Sequence, residues 1–242
     1  MKTKSIFIYS LLTAFLLTDC VSAFDKRIKG SGNVTTELRS VSPFDKIEID
    51  GVFTVFISQG DTESVEVEID DNLQEYVVVR NEGSKLALDI KDGVNFRKTA
   101  KNNIYVTLKT INRIDVEGVY TVKTTAPLRC VDLQLDVDGV VSCDFEIFCD
   151  KLTADFDGVG NIKLRGEAAK LIVKKDGVGS FNSENMKADK VNIRNSGVGS
   201  VNVYAAQELS MKNSGVGSVT YSGDAVIKSF ESDGVGKIRK KK

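Results

Sequence analysis

The sequence predicts an all-β protein, a right-handed parallel β-helix (β-solenoid) with turns of about 19 residues. Its 242 residues include 20 Gly and only 2 Pro, a composition that suits β-structure with many tight turns. A Gly-Val motif recurs along the chain, and its first glycines lie 18 to 21 residues apart. These turn glycines are Gly118, Gly139, Gly158, Gly177, Gly197, Gly215 and Gly234. A period near twenty residues indicates units that stack as successive turns of a solenoid.

The chain begins with a predicted signal peptide at residues 1–23. Lys2 and Lys4 form a basic start, an apolar stretch follows, and small residues precede a cleavage site after Ala23. The apolar stretch is too short to cross a bilayer comfortably, so we expect no transmembrane span in the mature chain.

An alternative interpretation of the leader is a lipoprotein signal with Cys20 as the lipidated residue. Asp19 stands where such a signal has a small residue, which weakens this alternative. In both cases the protein is exported, to the periplasm, to the outer membrane or cell surface, or into the medium.

The charge balance argues against a nucleic-acid partner. Removing Lys2, Lys4 and Asp19 from the chain's 33 basic and 34 acidic residues leaves a net charge of −2. No strong positive field would attract nucleic acid. The basic tail at residues 239–242 is too short to change this, and we interpret it as a solubilising end.

The mature chain divides into an N-terminal extension at 24–40 and a solenoid domain at 41–238. Residues 44–55 resemble residues 111–122, so the repeat begins before residue 51. Between these segments the sequence predicts two alternating strands, at 64–69 and 85–90, and one short helical turn at 71–76. We interpret residues 41–110 as larger turns that cap one end, because terminal repeats of solenoids are usually atypical.

Apolar residues recur four positions before and four positions after each first glycine. Val173 and Ile193 lie on the first track, and Phe181 and Val201 on the second, with polar residues such as Lys174 between them. This period of two predicts strands with one buried face. A further file of small residues, nine positions before each first glycine, predicts a tight corner against the core: Cys130, Cys149, Ala168, Ala188, Ala206 and Ala225.

The valines that follow the first glycines allow two interpretations. If each Gly-Val-Gly forms a corner, its valine turns inward, and we favour this because the glycines would otherwise leave the core thin. If the strand runs straight through, the valines form one exposed apolar file that would mark a self-association or partner surface. The valines are Val119, Val140, Val159, Val178, Val198, Val216 and Val235.

Three aspartates are the candidates for a metal site, and the signal for such a site is weak. Asp138, Asp157 and Asp176 precede equivalent glycines, so their carboxylates should stack about 5 Å apart. Calcium would relieve their repulsion and suits oxygen ligands, but Asp also simply favours turns. We expect no cofactor, with calcium as the alternative.

Cys130 and Cys149 occupy the same position in successive repeats and should be stacked neighbours within disulfide range. Export permits the bond. The side chains of in-register parallel neighbours point in the same direction, and this would strain a disulfide bond between them. We therefore favour two buried thiols. Cys143 lies on an apolar track and is most simply a core residue.

Several motifs together resemble a known family. They are Phe-Asp-Lys-Ile-Glu-Ile at 44–49, Gly-Val-Phe-Thr-Val at 51–55, Gln-Gly-Asp at 59–61, Asp-Asn-Leu at 71–73 and the later Gly-Val-Gly series. With these motifs the chain is similar to the auto-transporter adhesins with a head GIN domain, secreted or envelope proteins frequent among Bacteroidetes. The resemblance covers roughly residues 40–238. It implies a β-helical fold, an envelope location and an adhesion role, and it brings no catalytic residues.

We therefore expect a non-enzymatic exported envelope protein that presents its solenoid surface to a glycan or a protein. The alternative is a calcium-dependent polysaccharide lyase or a hydrolase of the β-helix type. Because the chain has no His, a Ser-His-Asp hydrolase and a histidine metal site are excluded. Its Arg and Lys residues show no clustering opposite the aspartates, which weighs against a lyase.

Overall fold

The computed structural model describes residues 26–241, so the predicted signal peptide, the Ala23 cleavage site and Cys20 lie outside the described residues. This part of the chain is all-β, with one 3₁₀ helix at Asp71–Tyr76. Its strands are β1 (Lys26–Lys29), β2 (Val34–Arg39), β3 (Lys46–Gly51), β4 (Thr54–Gln59), β5 (Ser64–Asp70), β6 (Val77–Glu82), β7 (Lys85–Ile90), β8 (Val94–Arg97), β9 (Asn102–Leu108), β10 (Arg113–Thr124), β11 (Leu128–Val137), β12 (Val140–Phe156), β13 (Val159–Lys175), β14 (Val178–Asn195), β15 (Val201–Asn213), β16 (Val219–Ser222), β17 (Val226–Ser232) and β18 (Ile238–Lys240).

The second half of the chain is a solenoid of about seven turns. From β10 to β18 the strands pair in parallel with those of the turn before and the turn after. Val140 aligns with Val159, and Val159 with Val178, in steps of one repeat. The predicted β-solenoid and its period of about 19 residues are therefore confirmed.

Local irregularities absorb the variation in repeat length. The register between β13 and β14 shifts after Lys163, and the register between β14 and β15 shifts on both sides of Ala188. As a result Ala188 aligns with Ala205. The predicted file of small residues is therefore wrong at Ala206, because counting from the next glycine ignored the bulge.

The repeat extends back to β3 and β4, as the sequence predicts. Gly51 aligns with Gly118 across β3 and β10, and Thr54 aligns with Thr121 across β4 and β10. Residues 60–112 are thus an excursion: β7 and β9 pair with β3 and β4 on the side away from β10, and the chain then returns to the stack at β10.

Antiparallel strands close this end of the solenoid. β5 lies between β2 and β9, and β6 pairs with β7. The 3₁₀ helix places Leu73 in the core with no exposed surface. Gln74 fixes the helix to the strands, since its Nε2 donates to the carbonyl oxygens of Thr35 and Val67, each at 3.0 Å. The predicted strands and helical turn between residues 64 and 90 are confirmed.

Both ends of the predicted domain continue the strand structure. Within the predicted extension at 24–40, β1 pairs with β8 and β2 pairs with β5. In the predicted tail at 239–242, Arg239 and Lys240 belong to β18. Over the described residues, no helix has both the length and the apolar character needed to cross a membrane.

The two apolar tracks form one continuous core. Val173 and Ile193 are each 1% exposed, whereas Lys174 between the tracks is exposed. This confirms the inward and outward assignment. The exception is the last turn, where Phe230 remains 51% exposed and Ile238 half-exposed because no further turn covers them.

Lys175 is a buried cation that the apolar tracks do not predict. It has no exposed surface and aligns with Phe156, whose ring lies 5.7 Å from its Nζ. The Nζ donates to the carbonyl oxygens of Gly177 and Val198, each at 2.9 Å. Burial lowers the pKa of Lys175 because it penalises the charged amine, and nearby Asp176 offsets this in part.

The substitution Lys175→Met should remove a pH-dependent term from the free energy of unfolding. A lysine whose pKa is lowered by folding gives up its proton more easily in the folded state. The contribution of Lys175 to the free energy of unfolding should therefore rise with pH up to about 10.4, the pKa of an unfolded lysine. The advantage of Lys175→Met over wild type should then shrink as pH rises. Both carbonyls keep their backbone partners, Gly177 accepting from Val198 and Val198 from Gly179.

Urea unfolding followed by circular dichroism at several pH values between 7 and 10 measures this difference. Lys174→Met is the matched control: Lys174 is exposed and its pKa is raised, chiefly by its hydrogen bond to Asp176, so its effect should be flat over this range. If the free energy of unfolding changed with pH in the same way for wild type and Lys175→Met, the claim that folding lowers the pKa of Lys175 would be contradicted.

Candidate interaction surface

An exposed file of valines runs along the length of the solenoid. We call it the valine ridge: Val52, Val119, Val140, Val159, Val178, Val198, Val216 and Val235, each between 45% and 74% exposed. From Val119 onward each valine aligns with the next across the strand pairs or through an isolated parallel bridge. A continuous apolar file of this length makes this surface a candidate interaction surface.

Close approach of neighbouring turns creates the ridge. From Gly139 onward the chain bends at the first glycine of each repeat, and a Cβ placed on Gly177 would lie 2.1 Å from the carbonyl oxygen of Gly158. At Gly179, whose φ is +131°, a Cβ would lie 1.8 Å from the carbonyl oxygen of Gly160. Only glycine fits these two positions, so the valine between them is the one side chain at the bend.

The preferred prediction for these valines is wrong. From Gly139 onward the chain does bend at each first glycine, as the corner interpretation requires, whereas β10 continues unbroken through Gly118. In both cases the valine is exposed rather than turned into the core. Buried residues two positions before the first glycine, such as Phe156 before Gly158, fill the space inside the bend. The glycines therefore do not thin the core, and the physical reason for turning valine inward disappears.

A groove with an excess of carboxylates runs beside the ridge over the first five turns. We call it the acidic groove; its volume is about 490 Å³. Seven carboxylates and two cations line it: Glu48, Asp115, Glu117, Asp136, Asp138, Asp155 and Asp157, with Arg113 and Lys174. This places two of the predicted aspartates, Asp138 and Asp157, in one negatively charged surface.

The two cations hold part of this charge in place. Arg113 contacts Asp115 at 2.8 Å and Asp136 at 2.5 Å. Burial raises the pKa of Asp136, an effect that Arg113 counteracts. Lys174 contacts Asp155 at 3.2 Å and Asp176 at 2.9 Å. This proximity of Arg and Lys to the aspartates depends on contacts between turns, since Lys174 aligns with Asp155 and Arg113 reaches Asp136 of the next turn. Separations along the sequence do not show it.

Asp176, the third predicted aspartate, differs from the other two. It accepts hydrogen bonds from Ser196 and Lys174, which hold its pKa below the usual range. Within residues 26–241 there is no group of three or more Asp, Glu or Cys side chains that could hold a metal ion. Of the three aspartates, Asp138 and Asp157 line the acidic groove, whereas Asp176 lines a different groove.

Beyond the acidic groove the same surface becomes basic. Three positions before the first glycine, the acidic file Glu48, Asp115, Asp136 and Asp155 continues into Lys174, Arg194 and Lys212, each aligned with the next. Lys174, Arg194 and Lys212 line a further groove with Asp176 and Glu231. The surface is thus polarised along the solenoid axis.

Cys130 and Cys149 align as predicted, but they are only partly buried. Both are free thiols, and the hydrogen bond between them lowers the pKa of Cys130 while it raises that of Cys149. The prediction that these two thiols are buried is wrong, because the corner on which they lie is partly open to solvent. Cys143 is a core residue as predicted, and burial raises the pKa of its thiol to about 12.

The comparisons with known proteins point to one family and one fold. The sequence model of the family "Putative auto-transporter adhesin, head GIN domain" matches residues 43–225. A crystal structure of a "putative adhesin" from Bacteroides fragilis NCTC 9343 is 29% identical with a TM-score of 0.85, and the alignment covers 88% of this chain and 100% of that one.

Two further crystal structures share the fold. A "putative lipid binding protein" from Parabacteroides distasonis ATCC 8503 is 22% identical with a TM-score of 0.70, covering 90% of this chain and 100% of that one. A "putative adhesin" from Parabacteroides merdae ATCC 43184 is 18% identical with a TM-score of 0.62, again covering 90% and 100%. No curated protein matches the chain.

Replacing two ridge valines should leave the fold intact. In the double variant Val178→Thr/Val198→Thr both side chains are about half exposed, so we expect the free energy of unfolding to change by less than about 0.5 kcal/mol per site. The control Val173→Thr/Val201→Thr makes the same change at two buried sites. This control should lose about 1–3 kcal/mol of unfolding free energy per site, because each substitution buries a hydroxyl group for which the core provides no hydrogen-bond partner.

Chemical denaturation of both double variants measures the difference. If Val178→Thr/Val198→Thr lost as much stability as the buried control, the ridge would be part of the core.

Proposed function

The chain belongs to the family of auto-transporter adhesins with a head GIN domain, and we propose that it is a non-enzymatic, exported envelope protein that binds a partner protein. The proposed contact is the valine ridge together with the acidic groove, and the partner supplies a basic segment. The observation that carries this proposal is the continuous apolar ridge beside seven carboxylates on one surface.

The chemistry of the surface favours a protein over a glycan. Glycan sites commonly place sugar rings against aromatic side chains, and no aromatic residue lines either groove. An apolar file next to excess negative charge instead suits a protein segment with both apolar and basic side chains. Acidic side chains that form no ion pair within residues 26–241, such as Asp138 and Asp157, would attract such a segment.

The same surface gives little support to a polysaccharide lyase. Acidic polysaccharides are anionic, and the groove they would enter carries seven carboxylates. Its two cations already contact carboxylates, Arg113 with Asp136 and Lys174 with Asp155. Incubation with uronic-acid polymers and calcium should therefore release no unsaturated products, and their appearance would contradict the non-enzymatic role.

A charge-selective binding experiment tests the proposed contact. A fluorescein-labelled decalysine peptide should bind the protein in a fluorescence anisotropy titration, whereas a decaglutamate peptide should not. Asp138→Asn/Asp157→Asn should weaken decalysine binding several-fold because it removes two unpaired carboxylates from the groove.

The matched control is Asp132→Asn/Asp150→Asn, which removes two exposed carboxylates from a different face. It should leave decalysine affinity nearly unchanged. Equal weakening by both double variants would show non-specific attraction and contradict the site. A glycan array that found a glycan ligand whose binding was unaffected by Asp138→Asn/Asp157→Asn would contradict the proposed class of partner.

A further inference from the structure

The C-terminal end of the solenoid presents unpaired strand edges. Among the described residues, β17 pairs only with β15, and β18 pairs only with β16. The other edge of each strand has no partner strand. Unpaired edges of this kind can extend a sheet by pairing with another strand.

The core is also open at this end. Phe230 aligns with Met211 and Ile227 with Leu209, so both continue the inward tracks of the turn below. Met211 and Leu209 are 2% and 0% exposed, whereas Phe230 and Ile227 are 51% and 43% exposed. The last turn therefore lacks the cover that every earlier turn receives from its successor.

The opposite end cannot provide this cover. There the antiparallel strands β2, β5, β6 and β7 and the 3₁₀ helix close the core, and residues such as Ile69 and Leu73 have no exposed surface. Strands β2 and β6 each keep one free edge at that end, but among the described residues only the C-terminal turn leaves side chains of the inward tracks uncovered. An apolar contact at the open end is therefore best matched by a second open end.

Charges around the last bend are arranged symmetrically about Val235. Asp233 and Glu231 lie two and four residues before it, and Lys237 and Arg239 lie two and four residues after it. All four residues are exposed. Glu231 contacts Lys212 at 2.8 Å, while Asp233, Lys237 and Arg239 form no ion pair with any other described residue.

We propose that two copies of the chain associate end to end through this open turn. A two-fold axis through the bend at Val235 sets β17 of each copy antiparallel to β18 of the other. Asp233 then faces Lys237 of the second copy, and Glu231 faces its Arg239, and each contact occurs twice. The same arrangement covers Phe230 and aligns the two valine ridges.

The two-fold arrangement closes on itself. Each open end is used once and each capped end stays free, so the expected product is a dimer rather than a fibre. The proposal does not depend on the acidic groove and can fail or succeed separately from the proposed function.

Charge exchange at Asp233 and Lys237 tests the arrangement by sedimentation velocity. The wild-type protein should be a dimer at low salt and dissociate as salt rises. Asp233→Lys and Lys237→Glu alone should each weaken the dimer at least about tenfold, because like charges then face each other twice. An equimolar mixture of the two variants should dimerise again, since every contact is then between opposite charges. The double variant Asp233→Lys/Lys237→Glu should dimerise by itself.

Lys170→Glu is the control, the same charge change as Lys237→Glu at an exposed site in the middle of the solenoid. It should leave the dimer unchanged. A wild-type protein that stays monomeric over a concentration series would overturn the proposal. So would a dimer that neither single variant weakens, which would point to another surface such as the valine ridge, or a mixture that fails to regain the dimer.

Discussion

Successive turns of this solenoid lie so close at their Gly-Val-Gly bends that there is no room for a side chain on either glycine. A Cβ on Gly177 would fall 2.1 Å from the carbonyl oxygen of Gly158, far inside van der Waals contact distance. The contact fixes the register of each turn on the one below. It also leaves valine as the only side chain at the bend, and the core beneath is already filled by residues such as Phe156. The exposed ridge follows from this packing.

Fixed register also turns the sequence into files of charge along the axis. Residues at equivalent positions in successive turns lie about 4.8 Å apart, so like charges reinforce each other along one face. Asp136 and Asp155 are such neighbours, and Arg113 and Lys174 offset part of their repulsion. A globular fold would scatter these residues. Here each position in the repeat becomes one stripe of surface, which is why a face with a defined charge pattern can arise from scattered single residues.

Much of this architecture could be predicted from the sequence, because the repeat period and the alternation of apolar residues report directly on strand stacking. The burial of Val173 and Ile193, the capping strands and the backward extension to Gly51 all follow from those two patterns. The direction of Val178 could not be predicted, since a bend between strands can reverse which side of the chain faces the core. Lys175 was missed because its alkyl chain fits an inward position while its amine reaches carbonyl oxygens at the bend. The charged face becomes visible only when the residues three positions before each first glycine are compared from turn to turn.

The claim that inter-turn contact, rather than backbone conformation, requires glycine at the bends can be tested by one comparison of unfolding free energies. Gly177 has no left-handed φ, so without the contact Gly177→Ala would stabilise the protein slightly by restricting the unfolded chain. Gly83 has a φ of +62° and open space around its Cβ position, so Gly83→Ala should cost only about 1 kcal/mol of conformational strain. We expect Gly177→Ala to cost several times more than Gly83→Ala in urea denaturation. A Gly177→Ala variant as stable as wild type would contradict the account.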